Sequence, residues 1–206
     1  MIHDEQLIKD CIKLNKVAQR ELYNKYAPTM RVLSARYTTN SADAKDILQD
    51  GFIKVFTNIK KFTGAGTLEG WIKKIIINTA ISHYHKNKKK AEITLTDNVD
   101  TSQDYKFYND FDNEKETNSL FELIEHADFS EEELMDSLNV LKADFRIVFN
   151  LFFLEDYSHN EISEILNIDE KTSRTRLFRA RQKMQKHLHE LSMERVQNSN
   201  TIRKIY

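Results

Sequence analysis

Residues that interrupt regular structure are scarce in this chain. Its 206 residues include only four glycines and one proline, and apolar residues recur along it at spacings of three and four. Glycine and proline are the strongest breakers of helices, and the three-to-four spacing is that of one helical face. The sequence therefore predicts an all-α protein, and no internal repeat is visible.

The most informative segment, residues 158–186, is typical of two short helices joined by a turn. Ser158 lies three residues before Glu161, the spacing of a capping box in which each side chain bonds the other's backbone N–H. Asn167 tolerates the left-handed conformation that ends a helix, and a second helix is predicted to begin at Asp169. Its apolar stripe falls at i, i+4, i+7 and i+11 and comprises Ser173, Leu177, Ala180 and Met184.

The other side of this second helix is cationic. Seven Lys or Arg and no acidic residue lie between Lys171 and Lys186. Two short helices, the second basic and rich in forked hydrogen-bond donors, are typical of major-groove readers. A solvated basic helix is the alternative, but the capping box, the turn, the stripe and an outward Phe178 together favour DNA binding. The residues predicted to point away from the stripe are Lys171, Thr175, Phe178, Arg179, Gln182 and Lys186, with Arg174 and Arg176 flanking them.

Charge falls into three blocks, although the net charge is only −1. Residues 1–90 carry 17 basic and 8 acidic side chains, residues 91–137 carry 2 and 15, and residues 138–206 carry 12 and 9. An acidic spacer between basic blocks is typical of a connector that stays off nucleic acid while its flanks bind it, with a solubilising loop as the alternative. We therefore expect two small helical domains joined by an acidic linker at residues 91–130, a stretch too polar to order itself securely.

The first helices of the chain are predicted from their apolar spacing. Because a proline disfavours helix at the residue before it, Pro28 should separate a helix near 16–26 from another that begins at about Thr29. A shorter helix is expected near 4–14.

The next helix is predicted at residues 42–60, with Ser41 as its N-terminal cap. Periodicity alone makes its polar side ordinary solvated surface. Its apolar face comprises Ile47, Leu48, Gly51, Phe52, Val55 and Ile59. Its polar side comprises Asp46, Gln49, Asp50 and Lys54.

A glycine-rich loop follows, since three of the four glycines lie within residues 62–70. Such a loop lets the backbone approach a ligand closely, but it lacks the lysine and spacing of a phosphate-cradling loop. Trp71 is predicted to open a helix that ends in the lysine-rich residues 86–90, and to act as a core anchor rather than a stacking platform. Loop, aromatic ring and basic helix together fit a single nucleic acid strand.

Three further patterns are a second capping box, a polar tail and two pairs of histidines. Ser130 and Glu133 form a second predicted capping box, and the polar tail after Met193 is expected to fray. The paired histidines at 83 and 85, and at 187 and 189, are spaced so that each pair lies on different helix faces. They therefore predict surface positions rather than a metal or catalytic site, and no cofactor is expected.

Location is predicted from the cysteine count and the apolar runs. Cys11 is the single cysteine, so no internal disulfide can form, which suits a reducing cytosol. No apolar run is long enough to span a bilayer. The first residues do not show the charged segment followed by an apolar segment that is typical of a signal peptide. We therefore expect a soluble, cytoplasmic protein.

The first block is similar to the RNA polymerase sigma factors of the extracytoplasmic-function (ECF) group. Residues 46–56 read Asp-Ile-Leu-Gln-Asp-Gly-Phe-Ile-Lys-Val-Phe, and they are followed by Lys61-Phe62 and then by Trp71-Ile72 with Asn78. These residues match the order and spacing of the family's second conserved region.

The later block resembles the family's fourth conserved region. The matching residues are Tyr157-Ser158, the helix start at Glu161-Ile162, and Arg-Thr-Arg-Leu-Phe-Arg-Ala-Arg at 174–181. The resemblance covers about residues 5–90 and 131–190, and the two motifs in this order are more specific than either alone.

The resemblance implies a non-enzymatic factor that binds core RNA polymerase, recognises promoter DNA and directs transcription initiation. It implies that residues 1–90 bind the core and the minus-ten element and that residues 131–192 bind the minus-thirty-five element through a helix-turn-helix. Residues 193–206 would be a flexible tail. An anti-sigma factor is a further partner that the family suggests, and no small-molecule substrate is implied.

The same resemblance implies three sets of contact residues. For the clamp of core polymerase they are Asp46, Gln49, Asp50 and Lys54. For the unstacked minus-ten strand they are Lys61, Phe62, Lys74 and Asn78. For the minus-thirty-five duplex they are Lys171, Arg174, Thr175, Phe178 and Arg179.

Two other functions remain open at this point. A self-standing regulator would sense or dimerise through residues 1–90 and bind a palindromic operator without polymerase, although neither a heptad seam nor a receiver-like strand pattern is visible. A nucleic-acid enzyme would need the histidine pairs to form a site, which their spacing opposes.

Overall fold

The computed structural model of the chain describes residues 2–94 and 128–203, with side chains over residues 4–90 and 128–195. The regular elements within these ranges are all helical, which confirms the all-α prediction. Two compact units are present, Met1–Thr94 and Leu95–Tyr206. Most of the predicted linker, residues 95–127, lies outside the described residues.

The first unit consists of four helices and a short 3-10 turn. The helices are α1 (Ile2–Ile12), α2 (Lys16–Arg36), α3 (Ser41–Asn58) and α4 (Leu68–Thr94), with the 3-10 turn Ile59–Lys61 after α3. The predicted apolar face of α3 is buried in the core of this unit, together with Leu22, Met30, Ile72 and Ile76.

Helix α2 runs through Pro28, so the break predicted there is wrong. A proline inside a helix removes one backbone hydrogen bond and crowds the preceding turn. Leu22 and Tyr26 before it, and Met30 and Leu33 after it, are all buried in the same core. Burial of one continuous face on both sides of Pro28 outweighs the local cost, and Pro28 itself is exposed.

Two helix starts differ from the sequence prediction. Asn40, rather than Ser41, caps α3, because its side-chain oxygen accepts the Ala42 N–H at 2.9 Å. Helix α4 begins at Leu68, three residues before Trp71, and the Thr67 hydroxyl accepts the Gly70 N–H at 3.1 Å. In both cases the prediction missed a polar side chain earlier in the chain that accepts a free N–H group at the helix start.

Helices α3 and α4 approach closely at Gly51. A Cβ added to Gly51 would lie 2.3 Å from Cδ1 of Ile76, and Ile76 is fully buried. Glycine is otherwise unfavourable inside a helix, so this close approach explains its presence in α3.

Gly51→Ala is therefore expected to lower the free energy of unfolding of the first unit by up to about 2 kcal/mol. Overpacking costs about 1–3 kcal/mol, while alanine gains roughly 1 kcal/mol in helix propensity. In an Ile76→Val background, which removes Cδ1, the same substitution should become neutral or stabilising. Trp71 fluorescence during urea unfolding measures this, since the chain's single tryptophan lies in this unit. Equal effects in both backgrounds would contradict the steric account.

Over its described residues, 128–203, the second unit contains four further helices and a π-helical turn. The helices are α5 (Glu131–Asn139), α6 (Ala143–Phe149), α7 (His159–Leu166) and α8 (Glu170–Arg203), with the π-helical turn Asn150–Leu154 after α6. Its core contains Leu138, Phe145, Val148 and Phe149.

Arg146 of α6 is a buried structural cation that the sequence analysis did not single out. It is only 3% exposed. Its Nε donates to the Leu138 carbonyl at 3.0 Å, and its Nη2 donates to the carbonyls of Asn139 and Leu141 at 3.1 and 2.8 Å. These carbonyls lie where α5 ends and its last C=O groups have no intrahelical partner. Arg146 therefore caps α5 from another helix, and burial lowers its pKa.

Helix α8 continues to Arg203, so the tail expected to fray after Met193 is helical up to that residue. Arg195 pairs with Glu133, and its guanidinium lies 5.2 Å from the ring centroid of Phe129. These contacts tie the late part of α8 to the start of α5. Hydrogen bonds from the Ser130 backbone and from Arg195 hold the pKa of Glu133 below its usual value.

Candidate functional site

The turn between α7 and α8 has the geometry that the sequence predicted. The Ser158 N–H donates to the Glu161 carboxylate at 2.8 Å, and the Glu161 N–H donates to the Ser158 hydroxyl at 3.3 Å. Asn167 adopts the left-handed conformation, with φ 51° and ψ 54°, and ends α7. The two helices are therefore joined by a three-residue turn, which is a helix-turn-helix.

One side of α8 is buried as predicted. Ser173, Leu177, Ala180 and Met184 are each at most 3% exposed, and Leu188 extends the stripe. The side chains predicted to face outward are all exposed or half-exposed. Burial of the stripe therefore leaves a solvent-facing surface that contains Lys171, Arg174, Thr175, Phe178 and Arg179, which we call the α8 outer face.

Arg174 lies on this face in an ion pair within its own helix. Its Nη2 is 2.5 Å from the Glu170 carboxylate, and the two side chains are 55% and 46% exposed. An exposed pair of this kind contributes at most about 1 kcal/mol. A DNA base or phosphate can therefore replace Glu170 at little cost.

Two other cations of α8 are held inside the unit. Arg176, predicted to flank the outward residues, pairs with Asp144 of α6 at 3.0 Å and its side chain is only 13% exposed. The Arg181 guanidinium lies 4.8 Å from the ring centroid of Phe153, a cation–π distance. The cationic surface is therefore smaller than the count of seven basic residues suggested.

His159, the first residue of α7, is a half-buried side chain that the sequence analysis missed. Its Nδ1 lies 2.8 Å from the Ser173 hydroxyl, and its ring stacks on Phe152 at a centroid distance of 4.6 Å. Burial, and then the nearby Arg174, lower the pKa of His159 to about 4. The imidazole is therefore neutral at physiological pH.

Helix α3 presents a polar face in the first unit. Asp46, Gln49, Asp50 and Lys54 are all exposed, as predicted. Lys54 lies at the edge of this face, where its Nζ donates to the Thr79 hydroxyl of α4 at 3.1 Å. Ile53 is 57% exposed on the same face. The α3 face thus combines carboxylates with one accessible apolar side chain, a composition suited to a protein partner.

The glycine-rich loop and the start of α4 form a separate surface of this unit. Gly64 and Gly66 have φ of 80° and 88°, a conformation that favours glycine. Phe62 and Trp71 are both half-exposed, with ring centroids 5.7 Å apart. Trp71 is therefore a partly accessible ring rather than the predicted core anchor. The predicted strand-contacting residues Lys61, Lys74 and Asn78 are all exposed.

The paired histidines form no metal centre in the parts of the chain that the structure describes, where no three metal-ligating side chains cluster. His83 lies 3.9 Å from Asp43, and His85 stacks edge-on with Tyr84. In the same residues, no helix combines the length and the apolar content needed to cross a membrane.

A helix-turn-helix whose outer face carries arginine, lysine and an accessible aromatic ring defines a DNA-binding protein. Family models agree with this class. Residues 22–90 match Sigma-70 region 2, and residues 131–184 match Sigma-70, region 4. Together the two models span more than half of the chain.

Individual proteins show the same similarity over nearly the full length. The chain is 27% identical to RNA polymerase sigma-H factor of Pseudomonas aeruginosa, over 93% of this chain and 96% of that protein. It is 25% identical to the ECF RNA polymerase sigma-E factor of Haemophilus influenzae, over 91% and 96%. A solved sigma factor, RpoE with the anti-sigma factor NepR from Bartonella quintana, is 18% identical over 82% of this chain and 96% of that one, with a TM-score of 0.47.

The chain therefore belongs to the RNA polymerase sigma factors, in the ECF group. It binds core RNA polymerase and promoter DNA and directs the initiation of transcription.

Proposed function

We propose that three separate surfaces divide this work. The α3 face docks on the polymerase core. The loop at residues 62–67 with the start of α4 holds the unstacked minus-ten strand, and the α8 outer face reads the minus-thirty-five duplex. Residues 91–130 connect the two DNA-binding units. The main support is the geometry of α8, which begins just after a left-handed turn. Its outer face is exposed and its opposite side is buried.

Exposure and chemistry support the minus-ten assignment. Lys61 and Lys74 offer cations for phosphates, Asn78 offers amide donors and acceptors for a base edge, and Phe62 offers a half-exposed ring. Lys74 and Asn78 lie four residues apart, on one side of α4. A single strand needs this combination of stacking and charge, since its bases are unpaired.

We further propose that the chain is not itself an enzyme and that it acts in the cytoplasm. Bond formation in transcription belongs to the polymerase, and the chain contributes recognition without an active site of its own. A factor that works on core polymerase acts in the cytoplasm of its cell. An anti-sigma partner stays a prediction of the family resemblance.

The proposal is tested by reconstituting transcription from the purified chain, core polymerase and a genomic library of the source organism. Defined start sites with a shared upstream sequence are expected. Failure to start at any promoter would contradict the proposal.

Single substitutions then separate core docking from strand opening. Asp50→Ala is expected to weaken association with core by about tenfold or more, because a centrally placed charge at an interface is worth about 2 kcal/mol when truncated. Association is measured by competition against a labelled unmodified chain. Glu5→Ala is the matched control, since Glu5 is an exposed acid on α1 and outside the predicted contact set.

Lys74→Ala should leave association with core unchanged and reduce opening of the minus-ten region, which permanganate reactivity of unpaired thymines detects. A template already unpaired over that region should restore most of the activity. If Lys74→Ala bound core more weakly, or if Asp50→Ala bound core as well as the unmodified chain, the surfaces would be assigned wrongly.

A further inference from the structure

The contact between α7 and α8 contains one polar pair within an apolar seam. Ser173 is 0% exposed and begins the stripe that continues with Leu177 and Ala180. A serine at that position has a buried hydroxyl that needs a partner. His159 supplies it from α7, with Nδ1 2.8 Å from the Ser173 Oγ.

The His159 ring is held in place from three directions. Its backbone follows Ser158, the cap residue whose side chain and N–H are both bonded to Glu161. Its ring lies on Phe152 with an interplanar angle of 26°, and its Nδ1 is bonded to Ser173. Because the cap fixes the backbone and Phe152 fixes the ring, the hydrogen bond specifies where Ser173 must lie.

Ser173 directly precedes two residues of the α8 outer face, Arg174 and Thr175. An apolar stripe alone tolerates small rotations and slides of one helix against another, because hydrophobic contacts are not directional. A buried hydrogen bond is directional, and it is costly to leave unmade. The pair therefore couples the start of α7 to the rotational setting of the outer face.

We propose that His159 is a positioning residue for promoter reading, whose bond to Ser173 sets the rotation and register of α8 so that Arg174 and Thr175 face the groove. This inference rests on the proposed role of the α8 outer face. His159 itself does not contact DNA in this account.

The contact between α7 and α8 favours the neutral form of the His159 ring. Burial and then Arg174 and Arg181 lower the pKa of His159 to about 4, while Glu170 opposes them. These three charged groups all belong to α8, and the side chain stacked on the ring is the uncharged Phe152. A charged imidazole would lie near two arginines while half removed from water.

The test compares holoenzyme affinity for a promoter with its affinity for the same promoter carrying a scrambled minus-thirty-five segment. Ser173→Ala and His159→Phe are expected to lower this specificity ratio by about tenfold, since each breaks a buried hydrogen bond. Binding to the scrambled promoter and far-ultraviolet circular dichroism should stay unchanged, because the charges and helices remain.

His159→Asn is the matched rescue variant. Either the nitrogen or the oxygen of its amide can occupy nearly the position of Nδ1, so it can keep the bond to Ser173, and the ratio should stay within about threefold of the unmodified protein. Arg174→Ala in the same assay separates the two proposals. If it lowers the ratio while Ser173→Ala and His159→Phe do not, the positioning role is wrong. If none of the three lowers it, the role of the α8 outer face is wrong and the positioning role falls with it. If Ser173→Ala and His159→Phe lost helicity and bound both the native and the scrambled promoter more weakly, His159 would contribute to stability alone.

A pH dependence provides an independent readout. The unfolded chain takes up a proton at His159 near pH 6.5, whereas the folded chain does so only at about 4. Stability of the second unit should therefore fall as pH drops from 6.5 towards 4, with the unfolding constant rising by less than about tenfold per pH unit. Hydrogen exchange of α7 and α8 peptides measures it. His159→Asn should lack this component, and an unchanged pH dependence in that variant would overturn the neutral-ring account.

Discussion

Replacing Arg146 with methionine is expected to destabilise the second unit by about 3–5 kcal/mol. Methionine keeps most of the buried volume but leaves the carbonyls of Leu138, Asn139 and Leu141 without the donors that they have in the native unit. Each buried polar group deprived of its partner costs about 1–3 kcal/mol, and three carbonyls lose theirs here, while removal of the buried charge offsets part of the sum. This is a large share of the 5–15 kcal/mol typical of a whole domain.

Hydrogen exchange in the full chain checks the expectation, because it resolves the two units. Peptides from α5 to α8 should lose protection, while peptides from α2 to α4 and the fluorescence of Trp71 should not change. Arg20→Met is the matched control, since Arg20 is an exposed arginine in the first unit and such surface changes stay within about 0.5 kcal/mol. Arg146→Lys should fall between the two, because one ammonium cannot reproduce the fork. Unchanged protection in Arg146→Met would show that water replaces the guanidinium without loss.

Helix ends could be predicted where the deciding groups are close in sequence. The capping boxes at Ser130 and Ser158 and the left-handed Asn167 all form as expected, because each involves residues at most four apart. The face of α3 that is buried and the stripe of α8 were likewise predictable, since helical periodicity alone decides which residues share a side.

Other features of the fold depend on contacts that periodicity does not describe. Pro28 is a local obstacle to helix, and α2 continues through it only because the residues before and after it are buried in one core. Trp71 has the size of a core residue, yet it packs beside Phe62 at a partly open surface. In both cases tertiary packing overrides a local preference that is correct on average.

In the candidate site, too, some features follow from the local sequence and others depend on distant contacts. The predicted contact residues of α3, α4 and α8 are exposed or half-exposed because they lie on the sides of their helices opposite the buried faces. The structural use of Arg176, Arg181 and His159 was not predictable, since their partners Asp144, Phe153 and Ser173 are 14 to 32 positions away. A count of cations along a helix cannot distinguish those that pair inward from those left for DNA.

The other large effect is expected at Arg174. Among the cations of the α8 outer face, Arg174 directly follows the buried Ser173, and its side chain is 55% exposed. A forked arginine bound to one guanine contributes about 1–3 kcal/mol of discrimination against other bases. Arg174→Ala should therefore reduce transcription from the native promoter by about 10- to 100-fold and relax the preference at one base pair of the minus-thirty-five segment.

Two variants decide whether Arg174 reads a base or only a phosphate. Arg174→Lys keeps the charge and loses the fork, so it should keep affinity for scrambled DNA while losing the preference at that base pair. Lys183→Ala is the matched control, because Lys183 is an exposed cation on α8 outside the predicted contact set. It should weaken binding slightly and equally for all sequences, with a shallower dependence on salt.

Transcription of a library randomised over the minus-thirty-five segment measures all three variants together. Base reading by Arg174 requires that Arg174→Ala and Arg174→Lys flatten the preference at the same position, and that Lys183→Ala leave it intact. If Arg174→Lys retained the full preference, the side chain would be acting as a point charge on the backbone. Selection of the promoter would then have to come from Thr175, Phe178 and Arg179, the neighbouring side chains of the same face.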